Sequence, residues 1–190
     1  MHSNIMKAGI VLFIVTLAAG LCLGIVHEVT LAPIAAQQAK TQAKALMEIL
    51  PEAQSFQTLQ SLSLDGTDID EVFAGLRQGK VVGYVFLLTS KEGFSDDIRL
   101  LAAIRQDGKL AGVHILSQNE TPGLGANAAK ESFWRQFTGK TGPFTVVKTP
   151  PGADNDIQAI SGATITSRAI TNAVNEAIEL YDKQLKGADQ

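Results

Sequence analysis

The apolar positions of this 190-residue chain change character along its length. Residues 8–26, AGIVLFIVTLAAGLCLGIV, carry no charge. Nineteen residues at 1.5 Å rise make about 28 Å of helix, close to the roughly 30 Å hydrocarbon core of a bilayer. The run predicts a transmembrane helix. Pro33 marks the end of that helix or a kink in it, and residues 34–49, IAAQQAKTQAKALMEI, read as a juxtamembrane helix that stops near Pro51. Residues 61–70, SLSLDGTDID, are polar and rich in turn formers. Apolar residues then become β-branched and aromatic and predict strands at 72–77, 80–89, 98–104 and 109–116. Asp107-Gly108 between the last two is a hairpin signal, so residues 80–116 form an antiparallel meander. A helix is expected over 126–137 with Phe133, Trp134 and Phe137 on one side, and short extended segments over 144–148 and 157–160. Ile170, Ala173, Val174, Ala177, Ile178 and Tyr181 then fall on one face of a last helix, from about 165 to 185. Strands in a block with helices before and after them give an α+β domain with a mainly antiparallel sheet. The segments are 1–7, 8–26, 27–51 and 52–190, without internal repeats.

Charge orients the first segment. Lys7 stands before the apolar run, His27 and Glu28 close it, and the next basic residue is Lys40. Positive residues favour the cytoplasmic side, so residues 1–7 are expected there and the C-terminal domain outside. A cleaved signal peptide is the alternative. Its apolar region is normally shorter, and an A-x-A-like site near Ala32–Ala36 would lie well past the run. A lipoprotein signal at Cys22 would need a small residue where Leu21 stands, and a pilin-like stalk would need a glutamate within the run.

Composition removes several classes. The net charge is −3, and no basic stripe interleaves with aromatics, which argues against nucleic acid as a partner. The single cysteine, Cys22, allows no intrachain disulfide and no cysteine-built metal or Fe–S site. His2, His27 and His114 are scattered, without ligand spacing. Asp65, Asp68 and Asp70 lie in a loop too short for an EF-hand and lacking its glutamate, so they read as a solvated turn. No catalytic acid–base pair stands out.

Two stretches carry candidate chemistry. ETPGLG, Glu120 to Gly125, fixes a tight turn, and Gly123 and Gly125 leave backbone open to something flat or anionic. Its plain reading is a linker between strand and helix. AISGATITSRAI, residues 159–170, puts Ser161, Thr164, Thr166 and Ser167 at the mouth of the last helix, with Gly162 and Ala163 leaving Thr164 uncrowded. A helix N-terminus favours an anion, so a phosphate near Thr164 would be well placed. The plain reading is a helix cap by Ser161, Thr166 or Ser167. The stretch is neither a Walker P-loop nor a nucleophile elbow.

Taken together, the N-terminal anchor, ETPGLG, the aromatic helix after it and SGATITS about forty residues on resemble one family. It is the covalent-FMN-binding subunits of redox-driven ion pumps: RnfG (also called RsxG) of the Rnf complex and its relative, the covalent-FMN-binding subunit of the sodium-translocating NADH:quinone reductase. ILPEA at 49–53 and GKVVGYVF at 79–86 fit the same family, and the chain's length favours the Rnf member. The resemblance implies that Thr164 carries FMN through a phosphoester bond made by a flavin transferase with FAD as donor. It implies that Glu120, Thr121, Pro122, Gly123, Leu124 and Gly125 line the flavin ring, with Thr121 offering a hydrogen bond. Ser161, Gly162, Ala163 and Thr166 serve the phosphate or the helix start. The chain would be a single-span electron-transfer subunit of a translocase, working with other Rnf subunits, and not an independent catalyst. A tether keeps the cofactor where free FMN is scarce, and the protein holds and tunes the ring. The sequence departs from the family where an aspartate usually stands six residues before the modified threonine. Here that position is Gln158, and Asp156 lies two residues earlier. A transferase that reads the carboxylate would modify this chain more slowly or depend on Asp156. The quinone-reductase relative, a stand-alone extracytoplasmic flavoprotein and a non-redox membrane-anchored scaffold remain the alternatives. A hydrolase is disfavoured because no histidine lies within either motif, with His114 the one that folding could bring closer.

Overall fold

The first helix, α1 (His2–Ile49), runs through Pro33 without a break. Proline removes one N–H donor there, and in this helix the turns on either side carry the structure across. Thr16 and Thr30 turn their hydroxyls back to the carbonyls of Leu12 and Val26, at 3.0 and 2.8 Å. This hides their polar groups in a stretch whose other side chains are mostly apolar. From Met6 the helix is long and apolar enough to cross a membrane. The computed structural model describes residues 2–187. Met1 and residues 188–190, at the ends of the first and last predicted segments, lie outside the described residues.

The chain divides into two compact units, Met1–Gln42 and Ala43–Gln190. The second begins inside α1, earlier than the expected boundary at 51/52, because Ala45, Leu46 and Ile49 are buried. Its centre is a five-stranded antiparallel sheet in sequence order: β1 (Ser55–Thr58), β2 (Ile69–Arg77), β3 (Lys80–Ser90), β4 (Ile98–Arg105) and β5 (Leu110–Ser117). β4 and β5 meet in the hairpin expected at Asp107-Gly108, where the Arg105 N–H donates to the Lys109 carbonyl at 2.9 Å.

The apolar run of β3 makes sense once the sheet is seen to be covered on both sides. Tyr84, Phe86 and Leu88 face one core with Leu100, Ala102, Ile104 and the last helix. The alternating Val85 and Leu87 face a second core with Leu101, Ala103 and the Ala45–Ala53 stretch. Strand side chains alternate faces, so a run buried on both sides must be apolar throughout.

After β5 the predicted helix over 126–137 is broken. A 3₁₀ turn, Gly125–Ala129, is followed by one α turn, α2 (Glu131–Trp134), and another 3₁₀ turn, Arg135–Phe137. Lys130 is extended between the first two. Phe133 and Phe137 are buried, and with Phe144 they form a chain of edge-to-face rings at 5.8 and 5.2 Å. Trp134 does not join them; it is half-buried in a groove with His114 and Pro51. β6 (Thr145–Val147) and β7 (Asp156–Gln158) form a small parallel pair. The last helix, α3 (Thr164–Leu180), buries Ile170, Ala173, Val174, Ala177 and Ile178 against the sheet. It ends in a wider π turn, Tyr181–Leu185. The Tyr181 hydroxyl donates to the Gln106 carbonyl at 2.9 Å, and burial raises its pKa above the ordinary value.

Candidate functional site

Glu120 follows the end of β5 and turns inward, only 5% exposed. Its Oε1 accepts the backbone N–H groups of Phe94 and Ser95 at 2.8 and 3.0 Å. Its Oε2 accepts the Thr166 hydroxyl at 2.6 Å. A buried carboxylate is costly unless its oxygens are hydrogen-bonded, and here both are engaged. One side chain thus joins the β3–β4 loop, the ETPGLG turn and the first turn of α3.

The turn closes on itself. The Leu124 and Ala126 N–H groups donate to the Thr121 carbonyl at 3.1 and 3.2 Å, and Asn127 Nδ2 donates to the Gly123 carbonyl at 2.7 Å. Gly123 has φ of +80°, a conformation side chains resist. Gly125 is a glycine for a different reason. A Cβ there would lie 2.7 Å from Thr166 Oγ1 and closer still to Glu120 Oε2. The two motifs touch directly: Leu124 Cδ2 lies 3.0 Å from where a Cβ on Gly162 would stand.

The crowd of hydroxyls at α3 separates into distinct tasks, and none is the expected cap. The N-cap is Ala163, and no side chain caps the helix. Ser167 Oγ donates to the Ala163 carbonyl at 2.9 Å and accepts the Ile160 N–H at 3.0 Å. Thr166 is committed to Glu120. The hydroxyls of Ser161 and Thr164 make no hydrogen bond among the described residues, and neither do the N–H groups of Thr164, Ile165 and Thr166. The helix therefore presents an open, partly positive N-terminal turn.

That turn borders a cavity of about 320 Å³, within the size range of small-molecule sites. Its lining comprises Glu120, Thr121, Leu124 and Gly125 from the first motif, Gly162, Ala163, Thr164 and Thr166 from the second, and Phe94 and Ile165. Pro122, Gly123 and Ser161, expected at the site, do not line it. The reversal at Gly123 carries Pro122 and Gly123 to the exposed outer side of the turn, and Ser161 is exposed before the helix begins. Phe94 is 66% exposed, Leu124 41% and Ile165 53%; among the described residues these are the large apolar side chains exposed beyond α1. All three sit at this cavity, which fits a flat apolar ring that would cover them.

A family model of the FMN-binding domain matches residues 93–179, and a model of the RnfG N-terminal region matches residues 1–49. A relative from Acetobacterium woodii, a subunit of its Na(+)-translocating ferredoxin:NAD(+) oxidoreductase complex, is 34% identical over 96% of this chain and 94% of its own length. The chain belongs to the RnfG family. A second relative, from the proton-translocating ferredoxin:NAD(+) oxidoreductase complex of Clostridium ljungdahlii, is 39% identical over 84% of this chain and 82% of its own. Among solved structures, NqrC of Shewanella oneidensis shares the fold, with a TM-score of 0.52 at 22% identity over 73% of each chain. The FMN-binding domain opens in the β3–β4 loop and closes near the end of α3, so every residue lining the cavity lies inside it.

Sequence reading missed Phe94 and Ile165. Phe94 lies in a polar loop, LTSKEGFSDD, with no period to flag it. Ile165 breaks the apolar face of α3, and an exposed isoleucine in the first turn of a helix is the signal that would have found it. The departure at Gln158 also has a structural setting. The Gln158 N–H donates to Gln136 Oε1 at 2.8 Å, and Gln136 Nε2 donates back to the Gln158 carbonyl at 3.3 Å, while the Gln158 side chain is exposed. Asp156 is occupied elsewhere: its Oδ2 accepts the N–H groups of Ala153 and Gly152, both at 2.9 Å, which holds its pKa below the usual carboxylate value.

Proposed function

We propose that Thr164 carries FMN through a phosphoester bond and that the chain is the membrane-anchored electron carrier of an Rnf-type complex. In such a complex, electron transfer between ferredoxin and NAD is coupled to ion movement. The observation that carries this reading is the uncapped first turn of α3, with an unengaged Thr164 hydroxyl, beside a mostly apolar cavity inside an FMN-binding domain. Ser and Thr are preferred at a helix N-cap, yet here the N-cap is Ala163 and the neighbouring hydroxyls leave it uncapped.

Bound FMN supplies one- and two-electron redox chemistry. The chain's own residues hold it. The open N–H groups of Thr164, Ile165 and Thr166 would receive the phosphate charge. Leu124, Phe94 and Ile165 would give the ring an apolar seat and keep water from it, and Thr121 would offer a polar side chain from the same lining. For attachment, Thr164 would offer its hydroxyl oxygen to the FMN phosphoryl group of FAD, giving the phosphoester, with AMP leaving from the broken pyrophosphate and the hydroxyl proton released. A separate flavin transferase catalyses this step. The Lys7 charge keeps the N-terminus cytoplasmic and sets the FMN-binding domain on the other side.

Co-expression with a flavin transferase, followed by a denaturing gel, tests the reading. The wild-type band fluoresces as a flavin, and Thr164→Ala is dark. A dark wild-type band beside a fluorescent known transferase substrate contradicts it.

A further inference from the structure

The carboxylate of Glu120 does more than border the cavity. Among the described residues it is the one buried side chain that hydrogen-bonds to the β3–β4 loop, and that loop carries Phe94. The loop's other side-chain ties are exposed: Asp96 Oδ2 accepts Asn119 Nδ2 at 2.9 Å, and Glu92 Oε2 accepts Asn172 Nδ2 at 2.7 Å. Exposed polar pairs of this kind contribute little. Glu120 instead accepts two adjacent loop N–H groups on one oxygen and the Thr166 hydroxyl on the other. Gly125 keeps the space clear by lacking a Cβ.

We propose that Glu120 is a positioning residue: its carboxylate ties the β3–β4 loop to α3 and so fixes Phe94 as a wall of the flavin cavity. The proposal rests on the FMN reading for the cofactor, but the tie itself belongs to the protein alone. Glu120→Ala removes the acceptor for two loop amides and frees Thr166. Glu120→Gln keeps the geometry, because its amide oxygen accepts the same two N–H groups and its NH₂ donates to Thr166 Oγ1. It removes only the charge.

The test uses the full chain in detergent, purified after co-expression with the transferase, and reads two signals. The first is amide hydrogen exchange at Phe94 and Ser95. The second is quenching of the bound flavin by iodide. Glu120→Ala should speed exchange at both amides by about tenfold or more, the scale of hydrogen bonds lost to a charged group, and should raise iodide quenching. Glu120→Gln should restore both signals to near wild type. Phe94→Ala should raise quenching while leaving Ser95 protected. If Glu120→Ala proves too unstable to purify, Thr166→Val, which cuts only the α3 side of the tie, should raise exchange at Phe94 and Ser95 to a smaller extent. Unchanged exchange in both Glu120→Ala and Thr166→Val overturns the proposal. So does a Glu120→Gln chain that behaves as Glu120→Ala, since the role would then lie in charge rather than position. A wild-type chain without flavin defeats the FMN reading, and the exchange measurements still decide the tie.

Discussion

Thr164 and Thr166 are two residues apart at the start of α3 and have opposite circumstances: Thr166 is buried and bonded to Glu120, while Thr164 borders the cavity with its hydroxyl unengaged. The excess of hydroxyls marked this helix start in the sequence, and the family resemblance singled out Thr164 within it. Glu120 was legible only as part of a turn. Its partners lie 26 and 46 positions away, and no local pattern encodes such a convergence. Phe94 was invisible for the same reason, since its place depends on how a polar loop is tied down. Gly125 tests this scale. Gly125→Ala would drive a methyl group between Glu120 and Thr166. Overpacking of this kind costs about 1–3 kcal/mol, and we expect a drop of that size in urea unfolding together with weaker flavin fluorescence on the gel. Unchanged stability would mean that the close approach of the two motifs is not fixed.

At the scale of elements, apolar pattern located the strands and α3 because burial decides both. Ends and breaks were less legible. Strand β1 is mostly exposed and polar, and only its pairing with β2 defines it. The aromatic helix looked continuous because Phe133 and Phe137 are spaced by four, yet the backbone opens at Lys130. Phe137 is fully buried between Phe133 and Phe144, so Phe137→Ala should cost about 3–5 kcal/mol, measured by chemical denaturation of the full chain in detergent. The β6–β7 loop gives a pH prediction. Asp156 has a folded pKa lowered by the Ala153 and Gly152 amides. The ionised form is the one that holds the loop, so its contribution is present in full above the ordinary carboxylate pKa. It is lost as pH falls through the lowered folded value. Exchange at the Gly152 and Ala153 amides, corrected for the intrinsic pH dependence of exchange, should speed up only below about pH 4. Asp156→Asn should abolish that acid-dependent step. A step at neutral pH would contradict the assignment.

At the scale of the whole molecule, the chain pairs a membrane-length helix with a domain that begins before that helix ends. Leu46, Ile49 and Leu50 cover the second face of the sheet. A chain starting at residue 43 should therefore stay soluble and unfold cooperatively in a thermal scan, whereas one starting at residue 54 should lose cooperativity or aggregate. Equal behaviour of the two would show that the second core is dispensable. The family and the FMN-binding domain place the molecule among redox subunits, and the proposed role as a tethered-flavin carrier turns on one bond. Trypsin should release residues 149–168 as a single peptide holding Ser161, Thr164, Thr166 and Ser167. Tandem mass spectrometry of that peptide, from chain made with a flavin transferase, should find a gain of one FMN less one water and localise it to Thr164. An unmodified peptide from chain exposed to an active transferase, or the same gain on Ser161, Thr166 or Ser167, would contradict that role for Thr164.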